Sequence, residues 1–171
     1  MSSHLVTLAL ALFVAADAPP APRVRSSHPY IRAMIAEAQV RSASFRRLVA
    51  AIEATDGIVY VEEGECHHHL RACFPPIVTS TADVRVLHVI VDARQEDWEV
   101  MSDIAHELQH ALEVLVDRSA RTNDRVFFLL QPAATMMREV IETDAAVKAG
   151  DAVRKEVAAF ARNASTKGQS R

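Results

Sequence analysis

The sequence predicts a single α+β domain, because its length suits one core and its apolar residues follow two kinds of periodicity. The chain has 171 residues, which fits one hydrophobic core. Apolar residues recur at the three-and-four spacing of a helix over residues 28–54 and 98–116. Between these segments, residues 58–61 and 84–92 are rich in β-branched side chains, which favour strands. We therefore expect helices packed on a sheet of roughly three or four strands.

Residues 1–18 predict a secretory signal. The apolar run at 5–16 is too short to span a bilayer, and small residues follow it. Cleavage after Ala16 is expected, because a proline follows Ala18 and disfavours cleavage there. No Lys or Arg precedes the run, so a buried N-terminal helix or a short anchor is the alternative. The proline-rich residues 19–27 predict a linker, and we expect an extracytoplasmic protein without a stable membrane span.

Residues 28–54 predict one long helix that serves as scaffold. Pro29 suits the first helical position, where its missing N–H is not needed. The Asp-Gly pair at 56–57 then predicts a stop or turn. The folded domain is expected to cover residues 28–162, with a polar, flexible tail at 163–171.

The two strand-like segments differ in their pattern. Residues 84–92 are largely apolar on both faces, as in a sheet covered by helices on one side and partly on the other. His88 lies in the middle of this segment, where we expect a packed, hydrogen-bonded histidine rather than a catalytic one. Residues 58–61 should end in a turn at 62–65.

C-terminal helices are expected after a polar loop at 117–123. Pro132 is expected to open the last helical region. The Gly-Asp pair at 150–151 predicts a break, with Asp151 capping a terminal helix that ends near residue 161.

Cys66 and Cys73 are the two cysteines of the chain. An even count in an exported protein favours a disulfide. Metal binding is the alternative, because three histidines at 67–69 lie between the cysteines. Adjacent histidines alternate sides in a strand, so the three cannot all bind one ion, and we expect them on the surface. A transition-state hydrogen bond from one of them, or metal scavenging, is less favoured.

The clearest chemical signal is Ile-Ala-His-Glu-Leu-Gln-His-Ala-Leu-Glu at residues 104–113. His106 and His110 lie one helical turn apart on one face, so both imidazoles can bind a single ion. Glu107 lies about 100° around the helix from His106, where its carboxylate can act as general base on a metal-bound water. Neutral imidazole binds Zn²⁺ well, and Zn²⁺ is the expected cofactor. The alternative is that these polar residues merely share a solvated helix face.

A catalytic zinc needs a third protein ligand, and Glu142 is the expected one. Small alanines follow Glu142, which would let its helix closely approach the metal helix, the one that carries His106 and His110. Glu139 is the alternative one turn earlier, and Asp144 faces elsewhere if Glu142 faces inward. Glu113 lies too far along the metal helix to complete a tetrahedron, so we expect it to orient an imidazole or to line the cleft.

The His-Glu-Leu-Gln-His-Ala helix and the later Glu-Thr-Asp-Ala-Ala stretch resemble the zincin metallopeptidases, in a small version of the gluzincin branch. The resemblance covers roughly residues 58–149, and the metal helix is its specific part. It implies a small zincin-like domain with Glu107 as the general base and three zinc ligands: His106, His110 and Glu142.

The resemblance also implies that residues 84–92 form a sheet edge, along which an extended peptide lies antiparallel. The chain departs from the gluzincin pattern at Ala146, which stands four residues after Glu142 where the family has Asp. The supporting acid is therefore unassigned, and so is any Tyr or His that stabilises the oxyanion.

The sequence thus predicts an exported zinc-dependent metallopeptidase that acts on a peptide or protein substrate. The alternative is a non-catalytic zinc- or peptide-binding protein on the same scaffold. A net charge of −3 argues against nucleic acid as a partner, and nothing in the sequence indicates an oligomeric state.

Overall fold

The computed structural model describes residues 21–67, 70–131 and 142–168. Several features predicted from the sequence lie outside these residues: the signal at 1–18, His68, His69, the helix start at Pro132, and Glu139. Within the described part of the chain, no helix combines the length and the apolar character that crossing a bilayer requires.

A mixed, five-stranded sheet forms the centre of the described chain. Its strands are β1 (Val24–Arg25), β2 (Gly57–Glu63), β3 (Ala72–Cys73), β4 (Val78–Ser80) and β5 (Arg85–Val91). β2 lies between β1 and β5 and is parallel to both, whereas β3 and β4 pair antiparallel with the other side of β5. Together with the helices, this sheet confirms the α+β class, with more strands than expected.

Strand β5 is internal, so residues 84–92 are not the free sheet edge that the resemblance implies. β2 pairs with its whole length on one side, and β3 and β4 pair with its two ends on the other. Backbone groups already engaged in a ladder cannot bind an added peptide strand. The sheet also differs at two smaller points. Residues 24–25 of the expected linker form β1, and β2 continues to Glu63 through part of the expected turn.

Five helices lie within the described residues: α1 (Pro29–Arg41), α2 (Ala43–Glu53), α3 (Asp97–Val116), α4 (Asn123–Leu130) and α5 (Asp144–Gly168). Pro29 stands at the start of α1, as predicted. α3 begins at Asp97 with Glu96 at its N-cap position.

The expected single helix over 28–54 is instead two helices, because the backbone of Ser42 is extended (φ −128°, ψ 121°). The Ser42 hydroxyl accepts a hydrogen bond from the N–H of Phe45 at 3.0 Å and so caps α2. It also donates to the carboxylate of Glu156 at 2.6 Å, and that carboxylate accepts from the N–H of Ser44 at 2.9 Å. The break therefore depends on α5, which is remote in sequence.

α5 passes through the glycine where the sequence predicts a break, and it includes residues 163–168 of the expected tail. A Cβ at Gly150 would lie 3.3 Å from the backbone oxygen of Ser102 and 3.4 Å from Cβ of His106. The Ser102 hydroxyl donates to the backbone oxygen of Gly150 at 3.1 Å. Gly150 thus serves the close contact between α5 and α3, which offsets its poor helix propensity of about 1 kcal/mol.

α3 lies between the sheet and α5, and its apolar stripe is buried as predicted except at its ends. Val59 and Val61 of β2 and Leu87 and Val89 of β5 are completely buried in the core that α3 shares. Trp98 is 40% exposed in the first turn of the helix, and Leu112 near the other end is only partly buried. The sheet on one side and α5 on the other hold α3 in place.

Candidate metal centre

The two motif histidines and Glu142 converge on one point between α3 and α5. The rings of His106 and His110 have their centroids 5.0 Å apart. Glu142 lies just before α5, and its Oε1 is 3.2 Å from Nε2 of His106. One donor atom from each of the three residues lies within 4.8 Å of the others. This is the set of ligands expected from the sequence, brought together although Glu142 follows His110 by a long stretch of chain.

The donors fit a metal ion. Nε2 of His110 is buried and has no hydrogen-bond partner within the described residues. Buried polar atoms nearly always have a partner, and a bound cation would provide one. Burial, and secondarily the neighbouring His110, lowers the pKa of His106 to about 4, so its imidazole is neutral and able to donate a lone pair at neutral pH. Two imidazoles and a carboxylate form a donor set that divalent transition metals accept.

Glu113 orients His110, as one of its two expected roles. Its Oε2 lies 3.3 Å from Nδ1 of His110, so Nε2 is the ring nitrogen left without a partner in the described chain. Its other oxygen accepts a hydrogen bond from the Thr143 hydroxyl at 2.8 Å. Burial favours a higher pKa for Glu113, but the hydrogen bonds with His110 and Thr143 outweigh it and lower the pKa. Glu113 is thereby held as the carboxylate that accepts from the imidazole.

Thr143 links the segment that carries Glu142 to α3, and the sequence analysis missed it. Besides donating to Glu113, its hydroxyl accepts from the N–H of Ala146 at 3.1 Å and caps α5. A threonine three residues before a helical N–H is a recognised N-cap signal, so the position could have been found. Glu142 therefore precedes α5. The small residues of α5 that are buried against α3 are Ala146 and Gly150.

Glu107 is buried, with 7% of its surface exposed, and lines a cavity of about 280 Å³ beside the three donors. Burial is the main cause that raises its pKa to about 8, and the nearby carboxylates of Asp103 and Glu142 add to the shift. The side chain is thus placed to exchange a proton with a molecule in the cavity.

The cavity is also lined by charged residues that the sequence analysis did not identify as part of a site. Arg71 precedes β3, Asp103 lies one turn before Glu107 on α3, and Arg154 belongs to α5. Arg71 reaches across to α3, where its Nη1 lies 2.7 Å from Glu99 and its Nη2 lies 3.3 Å from Asp103. The spacing of Asp103 and Glu107 could have indicated a shared face, whereas no local pattern marks either arginine.

Two other polar residues lie away from the site. His88 does not line the cavity. Its ring stacks on Tyr60 with centroids 5.7 Å apart, and its Nδ1 lies 3.3 Å from Glu62. It is therefore packed and paired as expected, although it is only partly buried. Asp144 is exposed, and its nearest cation is Lys148 at 3.9 Å.

Cys66 and Cys73 form a disulfide, with 6.0 Å between their Cα atoms. This confirms the pairing expected from the even cysteine count, and the alternative of metal thiolates is wrong. The bridge closes the loop that contains Arg71 and ends in β3. It therefore ties the wall of the cavity to the sheet.

No family model, curated protein or solved structure matches this chain.

Proposed function

We propose that this chain is a zinc-dependent peptidase, with zinc bound by His106, His110 and Glu142 and with Glu107 as the general base. The observation that carries the proposal is the convergence of three donor atoms within 4.8 Å, next to a cavity lined by Glu107. The likeness of residues 104–113 to the metal helix of zincins supports the same assignment.

The donor types favour zinc. Two histidines and a glutamate are a known ligand set for catalytic zinc, which keeps a further position for water or substrate. In such a site zinc acts as a Lewis acid on the scissile carbonyl and lowers the pKa of water to about 7. The cavity beside the donors supplies the space that a substrate needs.

Glu107 transfers the proton. A cation at the three donors would favour the ionised form of Glu107. That carboxylate accepts a proton from the attacking water, whose oxygen forms the new bond to the carbonyl carbon. When the peptide C–N bond breaks, the same carboxyl delivers that proton to the leaving nitrogen. Water and peptide thus account for all atoms of the acid and amine products.

The disulfide supports export from the cytoplasm. Structural disulfides persist in oxidising compartments and are rare where thiols are kept reduced. The Cys66–Cys73 bridge therefore fits the extracytoplasmic location that the secretory signal at residues 1–18 predicts. A protein in that location would meet peptide and protein substrates outside the cytoplasm.

Glu107→Gln tests the proposal. The amide keeps the shape of the side chain but cannot accept the proton, so hydrolysis should fall about 100- to 10,000-fold. Zinc content by atomic emission and the unfolding midpoint of the zinc-loaded protein should stay close to wild type. Glu63→Gln, at an exposed position at the end of β2, is the matched control and should retain full turnover.

Unchanged turnover in Glu107→Gln would exclude this mechanism. Stoichiometric zinc with saturable peptide binding but no cleavage by wild type would favour the non-catalytic alternative. One observation fits that alternative. Among the described residues no tyrosine lines the cavity, so no tyrosine there could stabilise the oxyanion.

A further inference from the structure

The cavity extends from the metal donors along the groove between α3 and α5. Gly150 lies against Ser102 and His106 near the donor end. Arg154 follows Gly150 by four residues, which places it one turn, or about 6 Å, further along α5. It lies close to the start of α3, because its guanidinium carbon is 5.6 Å from the ring centroid of Trp98. The cavity thus has a metal end and an arginine end.

The guanidinium of Arg154 has its hydrogen-bond donors free. It stacks on Trp98, a contact that positions an arginine while leaving its N–H groups available. It forms no hydrogen bond or salt bridge with any other residue in the described chain. Arg71, the other arginine that lines the cavity, already binds Glu99 and Asp103. The charge of Arg154 acts on Asp103, which also lines the cavity, but no hydrogen bond joins the two side chains. Arg154 can therefore bind an anionic ligand without breaking a hydrogen bond of its own.

The dimensions of the cavity limit what reaches Arg154. Its volume of about 280 Å³ lies near the lower end of small-ligand pockets, which suits one or two amino-acid residues. An extended residue spans about 3.3–3.6 Å, so the turn from Gly150 to Arg154 corresponds to about two residues. An anionic group bound by Arg154 would thus belong to the first or second residue beyond the bond at the metal end.

We propose that Arg154 binds a substrate carboxylate within two residues of the scissile bond, on the leaving-group side. The guanidinium and a carboxylate form two parallel charge-assisted hydrogen bonds, which fix the direction of the peptide in the groove. The carboxylate is the C-terminus of the peptide or an acidic side chain. The proposal rests on the proposed function, since it names the substrate class of the same site.

Matched peptides distinguish the two sources of the carboxylate. One pair differs only in a free carboxylate or an amide at the C-terminus, and it is made in two lengths, with that group one or two residues after the scissile bond. A second pair is amidated and differs only in Asp or Asn at that position. For wild type, kcat/KM should be about 10- to 100-fold higher for the carboxylate member of one pair.

Arg154→Gln should remove the difference in kcat/KM between the carboxylate and amide members, and Arg154→Lys should retain part of it. Arg162→Gln, an exposed arginine on the same helix, is the matched control and should keep the full preference. A preference for the free terminus identifies the C-terminal carboxylate, and a preference for Asp identifies a side chain. Equal rates within both pairs, or a preference that Arg154→Gln retains, would overturn the proposal.

A binding measurement separates this proposal from the proposed function. Isothermal titration of zinc-loaded Glu107→Gln with the same peptides should show the carboxylate preference, and adding Arg154→Gln should abolish it. Carboxylate-dependent binding without hydrolysis by wild type would retain the subsite and reject the peptidase. Hydrolysis without any carboxylate preference in rate or binding would retain the peptidase and reject the subsite.

Discussion

Glu113 decides which ring nitrogen of His110 carries the proton. Because its carboxylate lies 3.3 Å from Nδ1, that nitrogen is the donor, and Nε2 keeps a lone pair for the candidate metal centre. Thr143 holds the other carboxylate oxygen, so the group cannot rotate freely. One acid thus sets both the tautomer and the direction of the imidazole.

We expect Glu113→Gln to weaken zinc binding about 10- to 100-fold, because an amide is a weaker acceptor for the imidazole N–H. Competition with a chromophoric chelator measures this affinity. Glu63→Gln again serves as control, and its affinity should equal that of wild type. If Glu113→Gln binds zinc as tightly as wild type, His110 does not depend on this hydrogen bond.

Glu107 should make the zinc-free protein less stable as the pH rises. Burial raises its pKa from 4.5 to about 8, so between these values the native state holds a proton that the unfolded chain has lost. Stability therefore falls with rising pH across this window. Urea unfolding without zinc measures this effect. The free energy of unfolding of Glu107→Gln, relative to that of wild type, should increase from pH 4.5 to about 8 and stay constant above that pH.

The opposite contribution of His106, whose pKa is lowered to about 4, occurs in both proteins and cancels in that comparison. It makes both proteins more stable as the pH rises from about 4 to 6.5. If the difference in free energy of unfolding between wild type and Glu107→Gln does not change with pH, Glu107 is not a buried carboxyl that titrates in this range.

At the scale of elements, Arg85 joins the start of β5 to the end of α3. Its side chain is completely buried and pairs with Asp56 at 2.6 Å. The same guanidinium donates to backbone oxygens at and just beyond the end of α3: those of Val114, Leu115, Asp117 and Ala120. The carbonyls of Val114 and Leu115 are among those that a helix leaves without partners at its C-terminus. Arg85 thus fixes the metal helix against the sheet.

Arg85→Met should destabilise the protein by about 3–5 kcal/mol, because it leaves a carboxylate and several carbonyls without their buried donor. The midpoint of urea unfolding measures the effect. Arg121→Met is the matched control, since Arg121 also binds Asp56 but is partly exposed, and it should cost about 1 kcal/mol or less. Equal effects of the two variants would show that burial of Arg85 is not decisive.

At the scale of the molecule, a metal would join two distant parts of the chain. Two donors belong to α3, which packs on the sheet, and the third lies before α5, which packs on α1, α2 and α3. A ligand that binds only the folded state stabilises it by mass action. Zinc binding is therefore expected to raise the free energy of unfolding of the whole protein, besides completing the site.

Zinc at about 100 times its dissociation constant should stabilise wild type by about 2.7 kcal/mol. Thermal unfolding with and without zinc measures the gain. Glu142→Ala should lose most of it, whereas Asp144→Ala, two residues away and exposed, should keep it. A full gain in Glu142→Ala would mean that Glu142 is not a ligand.

The sequence by itself determined the features that depend on spacing within one element. The period of apolar residues located α3, β2 and β5, and the four-residue interval placed His106 and His110 on one face. An even cysteine count was enough to predict the disulfide. These inferences succeed because rise and rotation per residue are nearly constant along a helix or strand.

Only the tertiary structure decided how separate elements meet. It broke the first helix at Ser42 through Glu156, continued α5 through Gly150, and made β5 internal. It brought Glu142 to the histidines and Arg154 to the end of the cavity. Contacts between residues far apart in sequence depend on how side chains pack between elements, and local propensity carries no record of that packing.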